Sequence, residues 1–408
     1  MRTFSLDELA LILLLGIGLY FPTSLGGERS GLFTSINFAI MLGLLLYLAS
    51  RHGTRPGAVT FISLPITIVM TACTFSIQGF RLGWGVFAEF TLLALVLALD
   101  LTSIRPGRFT RTAFVIANLL NIACGIAIIA GNEWISQFLS AFYSSFYPEL
   151  VPAMLGLHKP ILTFGTHSLA GLFLYLFFWL NWETYKSRRS PLTLFFAVSE
   201  LILLLALASF TSFAFATLAL VQIATWLWNR SRKIFVTAAA CVVLLVSFGV
   251  RWFEDNPENS QVLPQLAGTL LDSDISGPLA RYGPGADLRR TIEYLFDHPL
   301  SPIGFATPFY IRIVDSGPLE YMIRGSMPLL VLIYFGLYRF LRHNLRSRTH
   351  ALTLFLIIIG FETGFTALSY VRTAYLLTFF VVYLRQLVPD FDHEDRSTTT
   401  PGTLQPQY

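Results

Sequence analysis

Charge is what this sequence has least of. Asp, Glu, Lys and Arg make up 13% of its 408 residues, against about a quarter in a soluble domain. That shortage excludes an ordinary water-soluble protein. Cysteine is scarce as well. Cys73, Cys124 and Cys241 each fall inside an apolar run, with no paired framework and no metal-ligand spacing, so they read as small core residues rather than a disulfide scaffold or a zinc site. No acidic pair is arranged to hold a metal, no cofactor motif stands out and no internal repeat is visible. After Arg2 the chain enters an apolar stretch without a small-residue cleavage site, which predicts a retained first helix rather than a signal peptide.

The space left by charge is filled by Leu, Phe and Ala, giving 54% hydrophobic residues and a mean hydropathy of +0.63. A helix crossing the hydrocarbon core needs about 20 apolar residues, and many such runs are present. The expected fold is an all-α integral membrane protein of about twelve transmembrane helices. The runs are 6–24, 31–49, 58–77, 85–101, 112–130, 161–180, 192–210, 213–228, 235–250, 327–340, 351–368 and 373–387. Together they make residues 1–387 one polytopic membrane domain. The polar, Pro/Thr/Gln-containing stretch 388–408 is expected to be a disordered cytoplasmic tail.

The sign of the charge fits the same picture. Lys and Arg number 28 and Asp and Glu 24, a net charge of +4. In a soluble protein that balance would raise nucleic acid as a partner; here topology accounts for it and no nucleic acid is expected. Every second connection is basic: Arg51 and Arg55; Arg105, Arg108 and Arg111; Lys186, Arg188 and Arg189; Arg230, Arg232 and Lys233; then Arg339, Arg342, Arg346 and Arg348. The intervening short loops carry only Arg29, Arg81, Lys159 and Arg372. By the positive-inside rule this places both termini in the cytoplasm and the basic-poor loops outside.

Two outer loops are long, 131–160 and 251–326, and long connections are often functional. In the first, Trp134, Phe138 and Phe142 recur every four residues, as do Tyr143 and Tyr147, which predicts a helix with an aromatic face. That face suits either an interfacial anchor or a platform for sugar rings. In the second, Asp287 is expected to cap a helix with Leu288, Ile292, Leu295 and Phe296 on one face, ended by His298-Pro299. Another helix is expected from Pro318 into the tenth span, with Pro328 as a kink.

Ionisable groups within spans are costly and often functional. Glu89, Glu200, Glu362 and His167 stand out. His167 reads either as a packing histidine bonded to a neighbouring hydroxyl or as a functional group sharing the outer mouth with Lys159. Glu320 and Arg324 are four apart, the spacing of a helix-surface ion pair. Asp315 is placed to cap the following helix or to serve as a base for a hydroxyl.

The order of motifs then becomes informative. A long outer loop ends in Asp297-His298-Pro299-Leu300-Ser301-Pro302-Ile303-Gly304-Phe305, followed by Asp315-Ser316-Gly317-Pro318-Leu319-Glu320-Tyr321 and Arg324-Gly325-Ser326, and a span follows at once. This resembles the bacterial O-antigen polymerase and ligase superfamily. Gly304 matches a family turn glycine and Pro302 replaces another; Asp315, where ligases have His, is more like the polymerases. Gly156-Leu157-His158-Lys159-Pro160 matches the family's entry to the sixth span, with Lys159 in place of Arg. Thr211-Ser212-Phe213 stands where a Ser-Arg is usual.

The resemblance implies an inner-membrane glycosyltransferase. It would move a glycan from polyprenyl pyrophosphate to a sugar hydroxyl at the periplasmic face, with no cofactor or metal, alongside a chain-length regulator and a flippase. It implies that Arg281, or alternatively Arg289 or Arg290, binds pyrophosphate with Lys159 and Arg372, His167 assisting. Asp315 would orient or deprotonate the acceptor, and Glu320 and Arg324 would line its site. Ligase-type transfer is the nearest alternative, and a lipid-glycan flippase or transporter a more distant one.

Overall fold

Capping marks the start of many helices. Ser5, Ser30, Asn132, Thr166, Ser209 and Ser347 each accept a hydrogen bond from the backbone N–H three residues on, satisfying donors that a first helical turn leaves unpaired. The computed structural model describes residues 4–75, 82–144, 148–233, 235–237, 240, 287–297, 302–306 and 316–387. Arg281, Asp315, most of the expected ninth span and the 388–408 tail lie outside the described residues.

The chain runs through α1 (Leu6–Tyr20), a short antiparallel hairpin β1 (Ser24–Leu25) and β2 (Glu28–Arg29), and α2 (Gly31–His52). A π-helical turn, Val59–Ser63, leads into α3 (Leu64–Phe75), then α4 (Trp84–Ala98) and α5 (Arg108–Ile129). Next come α6 (Glu133–Tyr143), α7 (Leu150–Gly156), α8 (His167–Arg188), α9 (Pro191–Ala206) and α10 (Phe210–Arg230). The last described elements are α11 (Asp287–Asp297), α12 (Gly317–Asn344), α13 (Arg348–Glu362) and α14 (Val371–Leu387).

Two helices form the centre. Residues 169–182 of α8 and 372–384 of α14 are buried on every side. Phe114 of α5 binds them together, stacking on Phe177 at 5.4 Å and meeting Tyr383 at 4.6 Å. The surrounding helices turn apolar stripes outward: Phe195, Val198, Ile202 and Leu205 on α9, and Val331, Phe335 and Tyr338 on α12, are exposed at helical spacing. Apolar surface on that scale is an interaction surface, here one suited to lipid. This is an all-α architecture of membrane type.

Four helices, Gly31–His52, Arg108–Ile129, Phe210–Arg230 and Gly317–Asn344, are long and apolar enough to cross a bilayer. The sequence predicts twelve. α1, α4 and α13 have 15 residues each, about 22 Å of helix at 1.5 Å per residue, short of a core about 30 Å thick. α8 has 22 residues but is too polar in composition to count, and its burial explains why it need not be apolar.

Helix ends gather on two opposite faces. On one, Asn344 accepts from the Leu101 amide (2.7 Å) and donates to the Leu99 carbonyl (3.2 Å), His343 meets Asp100 at 3.2 Å, and Glu8 accepts from the Phe109 amide at 3.2 Å. Arg385 donates to the Asn344 carbonyl there. This is the face of the basic connections. On the other, the β1–β2 hairpin docks on α6, Thr23 donating to the Phe142 carbonyl at 2.9 Å and Gly27 to that of Ala141 at 3.0 Å.

Candidate functional site

The second face is built around an irregular stretch, residues 157–166. The sequence predicts a span from residue 161, yet α8 starts only at His167. His158, Leu162 and Gly165 have φ of 56°, 52° and 72°, a region in which a right-handed helix cannot continue. Gly165 is required: a Cβ there would run into the Tyr143 carbonyl oxygen. Residues 160–166 are buried, so their backbone groups must find partners inside the protein.

Arg372 supplies one of those partners. From the start of α14 its guanidinium donates to the carbonyls of Thr163 and Phe21 (2.6 Å for the latter) and lies over the Tyr143 ring at 5.2 Å. The side chain is 1% exposed and its Nε has no hydrogen-bond partner. Among the described residues no carboxylate pairs with it. A cation taken out of water needs compensation, and here it has carbonyl dipoles and a ring face alone.

Lys159 lies on the same stretch. Its ammonium donates to the Ala208 carbonyl at 3.2 Å, beside the Ser209–Ser212 capping box that opens α10. It too has no carboxylate partner among the described residues, and burial holds it below the usual lysine range. Lys159 thus reaches the α9–α10 hairpin. His167 is half-buried at the first turn of α8, downstream of both contacts rather than within a span. An apolar cleft of about 330 Å³ opens nearby between α10 and α13, with Ser168, Thr211 and Thr363 among its lining residues.

Arg324 and Glu320 are brought together, but not on a helix surface. Arg324 is 1% exposed and its Nε donates to Glu320 at 2.9 Å. The expected surface pair is an interior one. Its position follows from a break in α12 at Gly325 and Ser326, just before the predicted kink residue. Pro328 has no N–H to give the carbonyl four residues back, which is that of Arg324. The Gly304 amide donates to that carbonyl and the Ile303 amide to that of Ile323, both at 2.9 Å. Arg324 in turn donates to the Gly304 carbonyl at 2.9 Å. The segment 302–306 is thus fastened into the broken helix.

Glu362 serves a different purpose. It ends α13 and accepts from the hydroxyls of Tyr321 (2.8 Å) and Tyr334 (3.1 Å) and from the Leu368 amide (2.7 Å). These bonds fix the turn that delivers Arg372. The two tyrosines carry no sequence signal for this role, because their partner is far along the chain. Glu200 is fully buried with both carboxylate oxygens unpartnered, and Glu89 is half-buried on α4.

Arg289 and Arg290 lie on α11, away from these cations in sequence and exposed. Arg289 is paired with Glu293 at 2.7 Å with about half of each side chain in water. On the same helix Thr291 is buried, Ile292 and Leu295 of the predicted apolar face are half-buried, and Phe296 is 81% exposed and so departs from that face.

The fold and this face define a helical protein of membrane type, with two cations at one end of its bundle that bond to carbonyls and have no carboxylate partner among the described residues. Compared with protein-family models, curated proteins and solved structures, the chain finds no match in any of the three.

Proposed function

We propose that the chain is a glycosyltransferase of the O-antigen polymerase type in the bacterial inner membrane. It moves a glycan from polyprenyl pyrophosphate to a sugar hydroxyl at the periplasmic face. The observation that carries the reading is the pair Lys159 and Arg372. Arg372 is buried and Lys159 half-buried, the one bonded to the stretch 157–166 and the other part of it, and neither has a carboxylate partner among the described residues.

Breaking the bond to pyrophosphate gathers negative charge on its oxygens. A guanidinium offers those oxygens a permanent, planar fork and an ammonium a point charge. Held in place before the reaction, one such donor is worth about 3–4 kcal/mol in the transition state. The lipid tail has the apolar surface of α10 and α13 to lie against, and the cleft there has hydroxyls at its edge. Asp315 would take the acceptor's proton or orient it, and Arg281 would add a third cation.

The test is a deletion strain of the source bacterium complemented with variants, its surface glycans resolved on gels. Wild type should restore long polymer. Lys159→Ala should leave mostly single repeat units, with a rate lower by about 10²–10³-fold, the equivalent of one lost donor. Long polymer at the wild-type level from Lys159→Ala would overturn the reading. Polymer of normal length that never reaches its final acceptor would assign the ligase reaction instead.

A further inference from the structure

The first outer loop builds a groove that the cations do not touch. It measures about 830 Å³, within the roughly 300–1,000 Å³ of small-ligand sites. α6 forms one wall with Glu133, Ser136, Gln137 and Ser140, spaced so that they share one helical face. The aromatic stripe read from the sequence is on another face: Trp134 is 83% and Phe138 50% exposed, and neither lines the groove. The stripe therefore suits an interfacial anchor, and the polar stripe faces the cavity.

The opposite walls are fixed. The β1–β2 turn contributes Gly27 and Glu28 and is fastened to α6 by the Gly27 amide on the Ala141 carbonyl and by the Ser144 hydroxyl on the Gly27 carbonyl, each 3.0 Å. His158 closes one end, its ring packed where a Cβ on Gly131 would clash, with Nδ1 3.3 Å from the Ile128 carbonyl. Pro152 and Leu155 of α7 add an apolar floor. Carboxylates, an amide and hydroxyls over an aliphatic surface match the two sides of a sugar ring, hydroxyl edge and C–H face. Walls that do not move on binding lower its entropic cost.

We propose that this groove is a second glycan site, one that takes a neutral or amine-bearing oligosaccharide and excludes an acidic one. Among the described residues no Lys or Arg lines it, while Glu28 and Glu133 do, so a uronic acid would meet like charge and a glucosamine an opposite one. The assignment extends the glycosyl-transfer reading, and its test needs no transfer.

The test is calorimetric titration of the full-length protein in nanodiscs with three probes: chitotetraose, the glucosamine tetramer and tetragalacturonate. The two former should bind, the amine tetramer the tighter, and tetragalacturonate should not. Ser136→Trp, which fills the groove, should weaken both by at least about tenfold, and Glu133→Lys, which leaves Glu28 facing one ammonium, should erase the preference between the charged probes. Lys159→Ala should leave all three unchanged, so that loss of transfer and loss of this site are told apart. Equal binding of tetragalacturonate, wild-type binding by Ser136→Trp, or no binding of any probe by the wild type would overturn the proposal.

Discussion

At the scale of single residues, Arg372 carries two burdens that substitution can separate. Its donors satisfy the carbonyls of Thr163 and Phe21, and in the proposed reaction its charge serves the pyrophosphate. Arg372→Ala orphans those buried carbonyls, at about 1–3 kcal/mol for each, and should lower the thermal midpoint. Arg372→Lys keeps the charge and loses the fork, so transfer should fall far more than stability does. Arg55 is a useful contrast, since it is also buried against a carbonyl, that of Leu97, on the basic face; burial on carbonyls alone does not mark a site. Lys159 makes a pH prediction. Its charge is lost as pH rises through a value below the usual lysine range, so the alkaline limb of kcat/KM should start lower than an exposed lysine would give. Lys159→Arg should remove that limb, because a guanidinium keeps its proton; a limb unchanged by the substitution would clear Lys159 of the role.

At the scale of elements, α12 shows how a helix defect becomes an anchor. Pro328 frees the Arg324 carbonyl, and Gly304 takes it. Pro328→Ala restores a competing intrahelical donor, so hydrogen exchange at the Ile303 and Gly304 amides should quicken while the rest of α12 holds. Gly304→Ala should be worse. Its φ is +57° and a Cβ would strike the Met70 carbonyl oxygen, so about 1–3 kcal/mol of backbone strain adds to the clash, and limited proteolysis near 302–306 should rise sharply. The kink and the proline in the first turn of α12 were legible in the sequence, because proline acts on its own helix. The partner of the freed carbonyl was not, being 20 residues upstream. The same limit applies to α8. The run 161–166 is apolar enough to look like a span, and composition does not report the left-handed backbone at Leu162 that delays the helix. The Glu320–Arg324 pair was legible as a spacing, while its burial depends on what packs over it.

At the scale of the whole molecule, the alternation of basic connections predicted two unlike ends, and the helix ends do gather on two faces. Crossing is less regular than the sequence suggests, because α8 and α14 are shielded by other helices and are free to carry Asn181, Thr184 and Arg372. The proposed orientation puts the basic face in the cytoplasm. A cysteine placed at Gly26, in the exposed β1–β2 turn, should react with a membrane-impermeant maleimide in intact spheroplasts, and one at Arg189 only after lysis. The reverse pattern would put the cation-bearing face on the wrong side for a periplasmic donor. Narrower still is the proposal that the mouth holds a diphosphate. Its most direct measurement is binding of undecaprenyl pyrophosphate, with undecaprenol as the control, to the protein in nanodiscs. Wild type should prefer the pyrophosphate, and Lys159→Ala and Arg372→Lys should each lose at least about tenfold of that preference with undecaprenol unchanged. Equal binding of the two lipids by the wild type would contradict the account.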